Sequence, residues 1–226
     1  MTDYGLLYAA TRERVTTMVR ELDDAALRTP VRACPGWTVH DVVAHFAGAV
    51  TDALAGRLEG VGGDAWTAAQ VEARRDVPVA DMLDEWAGSS PQFEDALRAI
   101  GPPLAGTAVS DAFQHEQDIR GALDLQGGRD LDLMLASIES YATGLGPRLQ
   151  QRGLAPLRLE AGAHEFVAGD GEPGATVIAE PFELTRALGG RRTVEEVRRL
   201  HWDGDAGPYV PLVSAYGVPA TSLGEH

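Results

Sequence analysis

The sequence predicts a mainly α protein, with a helical bundle over residues 1–153 and a small α+β domain over 154–226. Three observations point that way. Apolar residues recur at helical spacing until about residue 150, glycine- and proline-rich breaks separate those segments, and beyond Gly153–Pro156 short β-compatible runs replace them.

The first helix is expected from about Thr2 to Leu22, with Leu6, Leu7, Ala10, Val15, Met18, Val19 and Leu22 on one face and Thr2 or Asp3 as N-cap. The turn Ala33–Trp37 delivers Thr38, and Asp41 three residues later completes a capping box with Asp in place of Glu. A second helix then runs from about Val39 to Leu58. After the glycines at 60–63, a short helix is expected over Trp66–Arg75. Pro78 opens a longer one through Met82, Leu83, Trp86, Phe93, Leu97 and Ile100, which Pro91 should kink or divide. Helices over about Thr107–Leu123 and Leu131–Gln151 close the bundle. In the tail, 157–161 and 175–179 read as strands, and Phe182–Leu188 and Thr193–Leu200 as short helices around Gly189-Gly190-Arg191-Arg192.

Composition excludes several classes. A formal net charge of -15 over 226 residues argues against a nucleic-acid or anionic-membrane partner, because phosphate binding needs clustered Lys and Arg. No apolar run is long enough to span a bilayer and no charged-then-apolar leader follows Met1, so a cytoplasmic protein is expected. The single cysteine, Cys34, excludes an internal disulfide and a multi-cysteine zinc cluster. With Pro35 and Gly36 as neighbours it reads as a buried turn residue rather than a nucleophile.

Three residues stand out as metal-ligand types. Asp111 and His115 are spaced i, i+4, so a helix projects both from one face, one turn apart. His45 lies within the apolar stripe Val42, Val43, Phe46, Ala49, Val50 of another helix. Facing helices of a bundle can converge such groups on an ion, and two imidazoles with one carboxylate leave a coordination position open. Equally, a histidine on an apolar face can be a hydrogen-bonded core residue, and these residues alone leave both readings open. His40 is expected on a different face from His45; His164 and His201 fall in the tail domain, and His226 ends the chain.

Cys34-Pro35-Gly36-Trp37-Thr38-Val39 with His45 in Val-Ala-His-Phe, then Asp111-x-x-x-His115-x-x-Asp118-Ile119-Arg120, resembles the metal-binding domain of the mycothiol-dependent maleylpyruvate isomerase family, common in actinobacteria. The stretch from Glu183-Leu184 through Gly190-Arg191-Arg192-Thr193 to Trp202-Asp203-Gly204-Asp205 is similar to that family's smaller C-terminal domain. The resemblance implies a DinB-like four-helix bundle whose metal ligands fall on His45, Asp111 and His115, with Asp at a position that is Glu in the isomerases proper. It implies a divalent metal, with zinc the first expectation for a His, His, carboxylate set, and mycothiol as thiol cosubstrate. The implied activity is a transferase or isomerase in which the metal activates the thiol against a small electrophilic substrate. The alternative is a non-catalytic DinB-like metal-binding module with a stress or regulatory role.

Two neighbours carry double readings. Asp118, one turn beyond His115, either orients that imidazole or pairs with Arg120. Arg191, or Arg192 beside it, either holds a substrate carboxylate bidentately or serves a structural role through a helix cap or an ion pair with Glu195 or Glu196. Asp118 and Arg191 are the candidate catalytic residues. Trp37 is expected to pack the turn onto the bundle, with substrate stacking as the second reading.

Overall fold

The computed structural model describes residues 2–225. These form helices α1 (Tyr4–Arg20), α2 (Asp24–Leu27), α3 (Val39–Leu54), α4 (Asp64–Ala73), α5 (Val79–Ile100), α6 (Leu104–Ala122) and α7 (Leu131–Gln151), then β1 (Leu157–Ala161), β2 (His164–Ala168), β3 (Ala175–Ala179), α8 (Pro181–Leu188), α9 (Val194–Arg199), β4 (His201–Gly204) and α10 (Val210–Val213). None of the described helices is long and apolar enough to cross a membrane.

Two compact units result: residues 2–101 with 115–128, and residues 102–114 with 129–225. The cut falls inside α6, which is one unbroken helix. The expected break at 153/154 marks where strands begin. By packing, α7 goes with those strands, because Tyr141, Leu145 and Leu149 share a core with Leu157, Leu159 and Val177.

In the first unit the helices start where local chemistry sets them. Asp3 accepts from the Leu6 amide at the head of α1, and Thr38 with Asp41 forms the expected capping box at the head of α3, each satisfying amides that a helix leaves without partners. α3, α1 and α5 then pack through a run of aromatic rings. Phe46 stacks on Trp86 at 4.5 Å between centroids, the Trp86 indole donates to the Tyr8 hydroxyl at 3.1 Å, and Tyr8 meets Phe93 edge-on at 5.0 Å. Of the two expected outcomes at Pro91, a kink or a division, the helix is not divided: α5 runs unbroken from Val79 to Ile100. Trp86 before it and Leu97 after it are buried, and Ser90 Oγ donates to Trp86 O at 2.7 Å in the preceding turn, so tertiary burial outweighs the proline's missing donor.

In the second unit the strands lie in the order β2-β1-β3-β4, with β1 and β3 parallel and the other pairs antiparallel. β1 alternates, with Leu157, Leu159 and Ala161 buried, as a sheet with one covered face requires. β2 and β4 had no apolar run to announce them. β2 reads His-Glu-Phe-Val-Ala and exposes most of its residues, so its strand state comes from pairing with β1. Gly146 of α7 lies where a Cβ would come within 2.7 Å of the Gly169 amide nitrogen, so this close approach of helix to strand end needs glycine.

Candidate metal site

The segment before α3 is a tight turn rather than an open loop. Val31 N bonds Trp37 O at 2.9 Å, Cys34 N bonds Val31 O at 3.0 Å, Trp37 N bonds Cys34 O at 2.9 Å and Val39 N bonds Thr29 O at 3.1 Å. Gly36 sits at φ 88°, in the left-handed region that glycine enters without steric cost. This turn carries Cys34 and Trp37 to the site, while the capping box fixes where α3 begins and so which residue of it faces inward.

His45 is that residue, buried on α3 at 2 % exposure. Its Nδ1 lies 2.7 Å from Gln70 Oε1, and Gln70 Nε2 donates to Asp52 Oδ2 at 2.9 Å. The bond to Asp52 fixes the amide's orientation, so Oε1 faces the imidazole and His45 carries its proton on Nδ1. Nε2 then carries the ring's lone pair. Gln70 is in turn held through Arg74, the residue that caps α4 at its C-terminus. That guanidinium donates to Gln70 O at 3.3 Å and to Glu85 Oε2 at 2.9 Å, and Thr51 also donates to Glu85.

His115 is oriented by a different partner. Its Nδ1 is 3.0 Å from Asp118 Oδ2, and the Asp118 side chain is fully buried. A buried carboxylate there places the ring proton on Nδ1 and again leaves Nε2 as the donor atom. Of the two readings for Asp118, the structure supplies the bond to His115. Arg120 pairs instead with the fully buried Glu116, whose carboxylate also takes Arg14 of α1 at 2.7 Å. The two imidazole rings stand 5.0 Å apart, edge to face, inside an aromatic wall. Trp37 lies nearly parallel to His115 at 6.1 Å, Phe46 meets His115 at 6.0 Å and Trp66 meets His45 at 6.3 Å. Trp37 therefore packs on the histidines themselves.

Asp111 stands one turn before His115 on unbroken α6, and ligand-type atoms of His45, Asp111 and His115 all lie within 4.8 Å of one another. Two imidazoles with their Nδ1 protons committed to acceptors, and one half-buried carboxylate, are a donor set suited to a divalent cation. A second set meets the same criterion: Cys34, His115 and Asp118.

Asp111 also faces the second unit's own polar groups. Burial raises the Tyr141 and Tyr216 phenols above their ordinary range, and the Asp111 carboxylate adds to the rise while the Arg191 cation opposes it. Arg191 therefore acts on the same two phenols as Asp111, and its guanidinium donates to Gly189 O at 2.6 Å. Its neighbour Arg192 takes the structural part, bonded to Glu183 at 2.8 Å and Glu225 at 2.9 Å.

The remaining histidines lie elsewhere. His40 is half-buried, with Nε2 3.1 Å from Val77 O. His164 and His201 are exposed on β2 and β4, and His226 lies outside the described residues. Sequence reasoning missed Gln70 and Asp52. The available signal was a lone amide side chain on the short helix α4, and only pairing across 25 residues gives it meaning.

Residues 8–126 match the family model described as the mycothiol maleylpyruvate isomerase N-terminal domain. Among solved structures, the chain is similar to the crystal structure of the mycothiol-dependent maleylpyruvate isomerase, at 14% identity and a TM-score of 0.50, over 84% of this chain and 92% of that one. It is also similar to a His-to-Ala mutant of that isomerase, at 13% identity and a TM-score of 0.51, over 90% and 96% of the two chains. At these identities the likeness is one of fold, and the fold is the mainly α, DinB-like one expected. No curated protein matches the sequence. The matched span is more than half of the 226 residues and contains His45, Gln70, Asp111, His115 and Asp118, while Arg191 lies beyond it. The chain belongs to the mycothiol maleylpyruvate isomerase N-terminal domain family.

Proposed function

We propose that this protein is a metal- and thiol-dependent isomerase or S-transferase acting on a small electrophile, with His45, Asp111 and His115 as the metal ligands. The observation that carries the reading is the pair of imidazoles whose Nδ1 atoms are bonded to Gln70 and Asp118, on residues whose ligand-type atoms lie within 4.8 Å of one another and of the Asp111 carboxylate. A divalent cation, zinc by the donor set, would lower the pKa of a coordinated thiol and favour the thiolate. Membership of the family supports mycothiol as that thiol, and a small electrophile as the second substrate.

The chain's own residues supply the rest. Gln70 and Asp118 hold the rings in orientation and tautomer. Trp37, Phe46 and Trp66 exclude water from the ring faces and lower the local dielectric, which strengthens every charge interaction inside. Arg191, in the loop after α8, is the candidate group for a carboxylate on the electrophile. Departure of the thiol after attack gives isomerisation, and its retention gives S-transfer. The cytoplasm, where a low-molecular-weight thiol stays reduced, is the compartment this chemistry needs.

The test is elemental mass spectrometry of the purified, untagged protein beside His115→Ala, followed by thiol-consumption assays with maleylpyruvate and other electrophiles. Near-stoichiometric metal in the wild type, lost in the variant, together with thiol-dependent turnover is the expected result. Metal without any thiol-dependent turnover would favour the non-catalytic module. A wild type that is empty and also refuses added zinc would return His45, Asp111 and His115 to the role of core residues.

A further inference from the structure

The second ligand-type cluster is a closed triangle. Cys34 Sγ is 3.4 Å from Asp118 Oδ2 and 3.6 Å from His115 Nδ1, and the third edge, His115 Nδ1 to Asp118 Oδ2, is 3.0 Å. All three edges are within hydrogen-bonding distance, so the three ligand-type atoms already converge on one another. Tetrahedral zinc, with Zn–S about 2.3 Å and Zn–N or Zn–O about 2.0–2.1 Å, sets edges of about 3.5 Å for sulfur to either light atom and about 3.3 Å for nitrogen to oxygen. The triangle is within a few tenths of an ångström of that face. His115 and Asp118 are buried at 8 % and 2 % exposure, and Cys34 is held by the hydrogen-bonded turn that ends at Trp37.

We propose that Cys34, His115 and Asp118 form a second, thiolate-containing position for a thiophilic cation of the zinc and cadmium class, sharing His115 with the first set. The two sets are distinct in chemistry as well as in place. One offers two imidazoles and a carboxylate, the other sulfur, nitrogen and oxygen, and thiolate ligation selects softer ions. Cys34 joins neither His45 nor Asp111 in a common set, so one ion does not take all five residues. The shared ring makes the positions alternatives. An ion on Nδ1 requires the imidazole proton on Nε2, the atom offered to the first set, and an ion on Nε2 restores the Nδ1–H bond to Asp118. Binding at the second position releases the Cys34 thiol proton to solvent, forms a sulfur–metal bond and changes no oxidation state.

The proposal needs neither His45 nor Asp111, so it stands apart from the thiol-transfer reading. Cobalt(II) is the probe, because a thiolate ligand gives it a near-ultraviolet sulfur-to-cobalt charge-transfer band. His45→Ala and, as a second background, Asp111→Asn each disable the first set within the full-length chain. Both are expected to take up to one cobalt with that band, and Cys34→Ala is expected to lose the band in either background. In His45→Ala, where the first set is disabled, cadmium is expected to slow iodoacetamide alkylation of Cys34 by about tenfold or more, since a coordinated thiolate is a poor nucleophile. Cobalt bound without the band, no uptake by a folded variant, or alkylation unchanged by cadmium would each overturn the proposal. A band without thiol-dependent turnover would sink the proposed function alone, and turnover without a band would sink this inference alone.

Discussion

The α3–α4 side of the site and the α6 side hold their imidazoles by different chemistry. His45 is oriented at a distance, through a neutral amide on another helix that is itself anchored by Asp52 and Arg74. His115 is oriented from within its own helix, by a buried carboxylate three residues on. A carboxylate accepts a charge-assisted hydrogen bond and so holds the ring it orients more firmly than a neutral amide does. The α6 side should therefore bind metal more strongly and tolerate movement better, because a single helical turn sets its geometry. The α3–α4 side depends on α4 staying docked.

The largest expected effects break each side in turn. Asp118→Ala should weaken metal binding by about 100-fold and Gln70→Ala by about 10-fold, the two ends of the range for partners that orient a ligand, as measured by competition with a chromophoric chelator. Equal losses would erase the comparison. Gly48→Ala perturbs the α3–α4 side alone, without touching a ligand. A Cβ there would come within 2.6 Å of Gln70 Cβ and 2.7 Å of its Cγ, so α4 must shift. Overpacking of this kind costs about 1–3 kcal/mol, and the NMR resonance of the His45 Nδ1 proton should move while that of His115 stays. Movement of both would mean the two sides are not separable.

The smallest expected effect is a pH dependence of the anchor behind Gln70. Hydrogen bonding from Arg74 lowers the pKa of Glu85, with a further contribution from Thr51. A folded-state value below the unfolded one stabilises the protein above the unfolded pKa, about 4.3 for glutamate, and that stabilisation disappears as pH falls through the folded value. Glu85 is partly solvated, so screening keeps the effect below about 1 kcal/mol. Wild type should exceed Glu85→Gln in thermal stability at neutral pH, with the gap closing on acidification. A gap that widens toward acid would remove Glu85 from the anchor.

Much of the architecture was legible because its causes are local. The capping box at Thr38 and Asp41 starts α3 where the residues say it must, α7 runs over the expected 131–151, and the β-compatible runs at 157–161 and 175–179 are β1 and β3. The i, i+4 spacing of Asp111 and His115 needs nothing but a helix. β2 and β4 were not legible, since an exposed polar strand is defined by the strand it pairs with. The persistence of α5 through Pro91 was hidden for a related reason, since the burial of Trp86 and Leu97 is a property of the packed core.

By itself the sequence determined the helical class, the start of α3, the three ligand-type residues and the family they point to, because periodicity, capping and spacing act over a few residues. Only the tertiary structure decided that Gln70 and Asp52 stand behind His45, that Asp118 turns to His115 while Arg120 turns to Glu116, and that Cys34 closes a triangle with the same histidine. Those pairings join residues on different elements or choose between neighbours on one helix face. Such choices are made when the core excludes water and each buried donor must find its acceptor.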